Sequence, residues 1–224
     1  MLDAPTTPLE GAWIDRAQAR FATLNDDLVL RTRAVLNRIT ADAALHPRLL
    51  NTLSMLEHMG SQKIMATQHG AGIDQATLRH VAEECHHAFF MKRQAEKAAG
   101  APLDFRPDQL LAPRAARMYF QRLEATTLRE LEREQAPSAC YLYMSMIVEF
   151  RAVWFYSLFQ QSLTRAGHVL SLKRLLGEEQ NHLTEMAERL EHAGSLSNAR
   201  VDRFVRTEHR LYTRLLDALQ ESAS

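Results

Sequence analysis

Apolar residues recur at spacings of three and four through almost the whole chain, and no run of alternating β-branched residues argues for a strand. The pattern predicts an all-α protein. Breakers divide it: Thr7-Pro8 opens a short first helix, and His46-Pro47 separates a helix near 22–44 from one near 47–66. His69-Gly70-Ala71-Gly72 reads as the next loop. A helix near 74–99 ends at Gly100-Ala101-Pro102, where glycine suits a left-handed cap and proline prevents continuation, and another follows near 107–135. Ala136-Pro137-Ser138 begins a strongly apolar helix that runs to about Arg165 and stops at Gly167. Helices near 168–193 and 198–221 complete the chain, separated by Gly194-Ser195. Segments of roughly 20 to 28 residues span about 30–40 Å, which suits a helical bundle.

Composition narrows the class. The 224 residues fit a single domain, 1–224, and 46% hydrophobic content with only 8 Gly and 7 Pro excludes a disordered chain. Lys plus Arg equals Asp plus Glu at 27 each, so no net field draws the protein to nucleic acid or to an anionic membrane. Cys85 and Cys140 are too few for a disulfide framework and form no Cys-x-x-Cys pair. The N-terminal MLDAPTTPLEGAW lacks the basic and apolar regions of a secretion signal, and the expectation is a cytoplasmic protein. Cys140 to Phe159 is twenty nearly apolar residues, yet it carries Glu149 and Arg151 near its centre. At roughly 2.5–3.5 kcal/mol per mid-bilayer charge, it reads as a buried core helix.

Two segments share a pattern: Glu83-Glu84-Cys85-His86-His87 and Glu178-Glu179-Gln180-Asn181-His182 are both Glu-Glu-x-x-His. Three residues on a helix put a carboxylate and an imidazole on one face, able to bind the same or adjacent metal ions. Glu179 lies among Leu172, Leu175, Leu176, Leu183 and Met186, so its carboxylate points into the apolar stripe, whereas Glu178 shares a face with Ser171, Arg174 and Glu185. In the first segment both Glu83/His86 and Glu84/His87 have the spacing. Glu84 keeps company with Val81, Ala88 and Met91, and the Glu84/His87 choice reproduces the register of the second segment.

Single core-facing carboxylates come from two further helices. Glu149 is the only acidic residue between Ser138 and Gly177, and Glu57 is flanked by Leu50, Leu53, Ser54, Gly60, Ser61 and Ile64. A buried carboxylate needs a cation; an arginine partner for Glu149 and water at Glu57 are the alternatives to a metal. The order Glu, Glu-x-x-His, Glu, Glu-x-x-His places one element on each of four predicted helices. Four carboxylates match the charge of two Fe²⁺, and two neutral imidazoles complete a set that leaves positions for O₂.

This set, Glu57, Glu84, His87, Glu149, Glu179 and His182, resembles that of the ferritin-like di-iron carboxylate superfamily, over about residues 47–193. The resemblance implies a ferritin-like four-helix bundle of two hairpins, with the helix near 107–135 as a long crossover and with extra N- and C-terminal helices. It implies two Fe ions, with Mn or a mixed Mn/Fe pair compatible with the same ligands. It also implies an enzyme that uses O₂ to oxidise a small organic substrate, fed by an external electron donor, a reductase or ferredoxin, since no flavin or iron-sulfur motif occurs in the chain. Glu83 and Glu178 would serve at most as partners behind the ligands. Around His87 the residues are similar to the p-aminobenzoate N-oxygenase family, whose members have a further His four residues before the last Glu-x-x-His; that position here is Leu175. His80 stands four residues before Glu84, as an additional ligand or as a solvated or capping side chain. A ferroxidase or iron store in a large hollow oligomer, and a non-catalytic helical interaction protein, stay open beside the oxygenase, for which a homodimer is the expectation. His46, His58, His69, His168, His192 and His209 read as solvated, and the nine Met and Trp154, Phe155 and Tyr156 as core filling.

Overall fold

The computed structural model describes residues 10–68 and 74–224, so the predicted Thr7-Pro8 opening and the 69–72 loop lie outside the described residues. Among those described, the regular structure is entirely helical: α1 (Glu10–Leu24), α2 (Asp26–Ala41), α3 (Leu45–Thr67), α4 (Gln75–Ala99), α5 (Pro113–Arg133), α6 (Cys140–Arg165), α7 (Lys173–His192) and α8 (Asn198–Ser222). None of these helices is long and apolar enough to cross a membrane. The α3/α4 and α6/α7 pairs make the most extensive helix contacts, and α5 connects one pair to the other while packing on α8, α6 and α3. Helix α2 lies against α6, and α1 against α7.

Four boundaries differ from the sequence reading, each for a local reason. The helix expected near 22–44 starts at Asp26, and the first helix runs on to Leu24, because the break falls at Asn25, whose buried side chain donates to the Phe21 carbonyl at 2.8 Å while its Oδ1 accepts from Arg151 of α6 at 2.6 Å. His46-Pro47 does not precede α3 but sits in its first turn, where a missing N–H is harmless. Asp42 Oδ1 accepts from the Ala44 and Leu45 amides at 2.8 and 3.0 Å there, which holds its carboxyl below the usual range. Helix α5 begins at Pro113 rather than near 107: proline disfavours a right-handed helical conformation before it, and Ala112 takes φ 46°. The 101–112 segment is instead pinned to α3, through Asn51 Nδ2 to the Asp104 and Gln109 carbonyls and through Thr52 Oγ1 to the Leu111 amide. Residues 168–172 stay outside α7 because Gln160 binds the backbone at Leu170 and Leu172. Gly100 caps α4 at φ 68°, as expected of a residue without a Cβ.

Two of the histidines read as solvated are not. His46 is buried and stacks on His168 with ring centroids 4.2 Å apart, and His168 Nε2 meets the Thr40 carbonyl at 2.8 Å. Burial, then the neighbouring His168, push His46 down to about 4. The unfolded chain therefore takes up a proton near pH 6.5 that the fold refuses until about pH 4. Stability is full above pH 6.5 and falls as pH drops through this window, by up to roughly 3 kcal/mol. Urea titrations at pH 7.5 and 5 are expected to show a loss of about 2 kcal/mol, the part of the window crossed by pH 5, and His46→Phe, which keeps the ring beside Phe159, to reduce it.

Candidate metal centre

All six ligands expected from the sequence converge on one place. Glu57 comes from α3, Glu84 and His87 from α4, Glu149 from α6, and Glu179 and His182 from α7. Each sits on its helix's inner stripe: Leu50, Leu53 and Ile64 beside Glu57, Ala88 and Met91 beside Glu84, and Leu175, Leu183 and Met186 beside Glu179 are buried. Gly60 of α3 makes room, since a Cβ there would stand 3.2 Å from Glu84 Oε2. Glu84 and His87 are buried in the cluster, whereas His86 is exposed.

A seventh residue joins them. His80 is buried, with Nε2 3.4 Å from Glu149 and 3.6 Å from Glu84, so it is neither solvated nor a cap. The donors form two overlapping sets, His80, Glu84, Glu149 and His182 in one and Glu57, Glu84, His87 and Glu179 in the other, the ligand atoms within each lying within 4.8 Å of one another. Glu84 belongs to both. Glu179 also spans them, its Oε1 3.4 Å from His87 Nδ1 and its Oε2 3.2 Å from His182 Nδ1. The arginine alternative for Glu149 fails, because its near partners are His80 and His182.

Every imidazole is held from behind. His80 Nδ1 meets the Tyr141 hydroxyl at 2.9 Å, His87 Nε2 meets Glu178 at 2.9 Å, and His182 Nε2 meets Glu83 at 2.8 Å. The first Glu of each Glu-Glu-x-x-His segment thus orients the histidine of the other segment, leaving His80 Nε2, His87 Nδ1 and His182 Nδ1 to face the carboxylates. Partners of this kind fix tautomer and ring angle, and losing one costs about 10–100-fold in metal affinity. Glu83→Ala and Glu178→Ala are each expected to weaken Mn²⁺ binding by that factor in a competition titration with a chelator, while circular dichroism stays unchanged. Tyr141 had no signal in the sequence, whereas Tyr156 stands seven residues after Glu149, on the same face of α6. Tyr156, read as core filling, donates a hydrogen bond to Glu57 Oε1.

The charges show why the cluster suits a cation. Burial alone would lower the histidines, but the facing carboxylates outweigh it and push His80 up to about 11, His87 to about 9 and His182 to about 12. Glu84 and Glu149 are held low by the same imidazoles against the upward push of burial. Burial and the neighbouring carboxylates push Glu57 up to about 8, and Glu179 is raised well above its ordinary value. Protons on imidazole thus neutralise carboxylates, though three of the buried atoms involved, His80 Nε2, Glu84 Oε1 and His87 Nδ1, lack any hydrogen-bond partner among the described residues. Orphaned buried donors and acceptors converging at metal-ligand distances fit a bound ion. Imidazole with carboxylate suits iron, manganese or zinc. An incoming ion must displace protons, so its uptake releases them and weakens as pH falls.

The chain finds no significant match among protein-family models, characterised proteins or solved structures. What the fold and site define is an all-helical protein with a buried His/Glu cluster that could hold a metal ion.

Proposed function

We propose that this cluster holds two divalent ions, iron foremost, in a ferritin-like bundle, and that the protein uses O₂ to oxidise a small organic substrate. The observation that carries this reading is the sharing of Glu84 by two donor sets, an arrangement suited to a pair of neighbouring ions rather than a single one. With iron bound, the centre would supply the redox chemistry of O₂ reduction. The chain's own residues do the rest. Glu57 and Glu149 each belong to one set only, and both line an apolar cavity, so the end carboxylates face the space where a substrate could lie. Tyr156 holds a proton at Oη against Glu57, next to the cavity it also lines. Leu53, Val148 and Phe155 exclude water there. Inserting one oxygen atom into a substrate and reducing the other to water consumes two electrons and two protons, for which a separate reductase or ferredoxin is the proposed source.

The test is anaerobic reconstitution with Fe²⁺, metal analysis after desalting, and stopped-flow mixing with O₂. Near-stoichiometric binding of two iron ions and a new visible absorption band are expected. A chain that retains no iron, or an iron-loaded one with no spectral response to O₂, overturns the reading. Light scattering separates it from iron storage: a large hollow assembly would favour the store, a small oligomer such as a dimer the oxygenase.

A further inference from the structure

A second space reaches the metal centre from another side. It lies between α3, α5 and α6, has a volume of about 50 Å³, and includes His80, Glu84 and Glu149 in its wall. The same wall includes Thr67, which is exposed, and Lys63, Glu124 and Tyr141, which are half-buried. The space therefore joins buried ligands to the surface of the protein. The apolar cavity beside Tyr156 does not, since none of the residues lining it is exposed. At roughly 10–15 Å³ for each water, the second space holds about three to five, enough for an ion that keeps part of its shell. An ion crossing an apolar wall would give up that water with nothing in exchange, whereas the hydroxyl residues Thr67, Tyr141 and Ser145 stand along this one.

The outer part of this space carries a charge pair. Lys63 of α3 donates to Glu124 Oε2 of α5, and neither residue belongs to a donor set of the centre. Their side chains are 26% and 36% exposed. A pair so open to water contributes little to stability and parts readily. While paired, the Lys63 ammonium neutralises the carboxylate and repels an approaching cation; once parted, Glu124 presents a free carboxylate at the entrance. The geometry points to this passage as the route by which a divalent cation reaches the centre, with Glu124 as the carboxylate that draws the ion in and Lys63 as the counter-ion that closes the entrance. The route rests on the metal-centre reading, and it brings the ion first to the side of His80, which lines this space and not the apolar cavity.

The experiment is stopped-flow mixing of the metal-free full chain with Co²⁺, followed by its visible absorption, with the bound metal measured after desalting. Lys63→Gln, which leaves Glu124 unpaired, is expected to speed loading at least about three-fold, and Glu124→Gln, which leaves the ammonium alone in the entrance, to slow it at least about ten-fold. The final amount of Co²⁺ is expected to be unchanged in both. Lys97→Gln removes the same charge at an exposed position in the last turn of α4, and is expected to load at the rate of the unaltered chain. Both substitutions at the entrance break the same ion pair, so a merely structural role would move the two rates together. Rates that move in one direction or not at all, or a Lys97→Gln effect as large as that of Lys63→Gln, overturn the route and leave the metal centre standing. A chain that binds no Co²⁺ at equilibrium overturns the metal-centre reading and the route with it.

Discussion

Replacing Glu84 with Gln is expected to lower the metal held after desalting from the proposed two ions per chain to fewer than one, a larger loss than any other single substitution at the site. The reason is its position: Glu84 serves both donor sets through a single oxygen, Oε1, 3.6 to 3.7 Å from the facing nitrogens of His80, His87 and His182, whereas Glu179 spans them with one oxygen toward each. The amide keeps the size and removes the charge, so the space beside Gly60 is undisturbed. Glu149→Gln, by contrast, touches only the set containing His80 and His182, and is expected to cost one ion of the two. Metal analysis of both variants beside the unaltered chain distinguishes the cases. Equal losses from both would show that the two sets do not behave as overlapping sites.

Glu208→Ala destabilises the protein by about 3–5 kcal/mol, the largest single-residue effect expected outside the metal centre. Glu208 is fully buried, pairs with both Nε and Nη2 of Arg151, and accepts from the Tyr119 hydroxyl at 2.8 Å. Removing it leaves a guanidinium in a cage of Tyr212, Trp154 and Phe21 without a counter-charge. The rings keep some of that charge satisfied, since Tyr212 lies 3.8 Å from the guanidinium carbon, but they do not replace a carboxylate. In a chain of this size the thermal midpoint falls by on the order of 10 °C. Replacing both partners at once, Arg151→Met with Glu208→Leu, is expected to recover most of the loss, because neither charge is then stranded. Thermal unfolding of the single and double variants measures both effects; equal losses would show that the stranded charge is not the cause.

The chain itself determined the all-helical class, the main helices around the site and the six residues that meet there. These are local properties: a 3.6-residue period fixes which side chains share a face, and a carboxylate on an apolar face has to find a cation wherever the helix packs. Glu179 was readable for this reason, lying among Leu172, Leu175, Leu183 and Met186. What depends on two distant segments was not readable. His80 on α4, four residues before Glu84, could be a further ligand or a solvated or capping side chain by sequence alone, and only the approach of Glu149 on α6 and Tyr141 beside it decides for the cluster. The crossed pairs Glu83 to His182 and Glu178 to His87 exist because α4 and α7 lie side by side, a fact of packing that no spacing within either helix contains. The same holds for the break at Asn25, which Arg151 of α6 holds from 126 residues away, and for the stacked His46 and His168. Periodicity tells each helix which face to bury; which partner waits on the other side, and therefore which donors remain unsatisfied, is decided only when the helices meet.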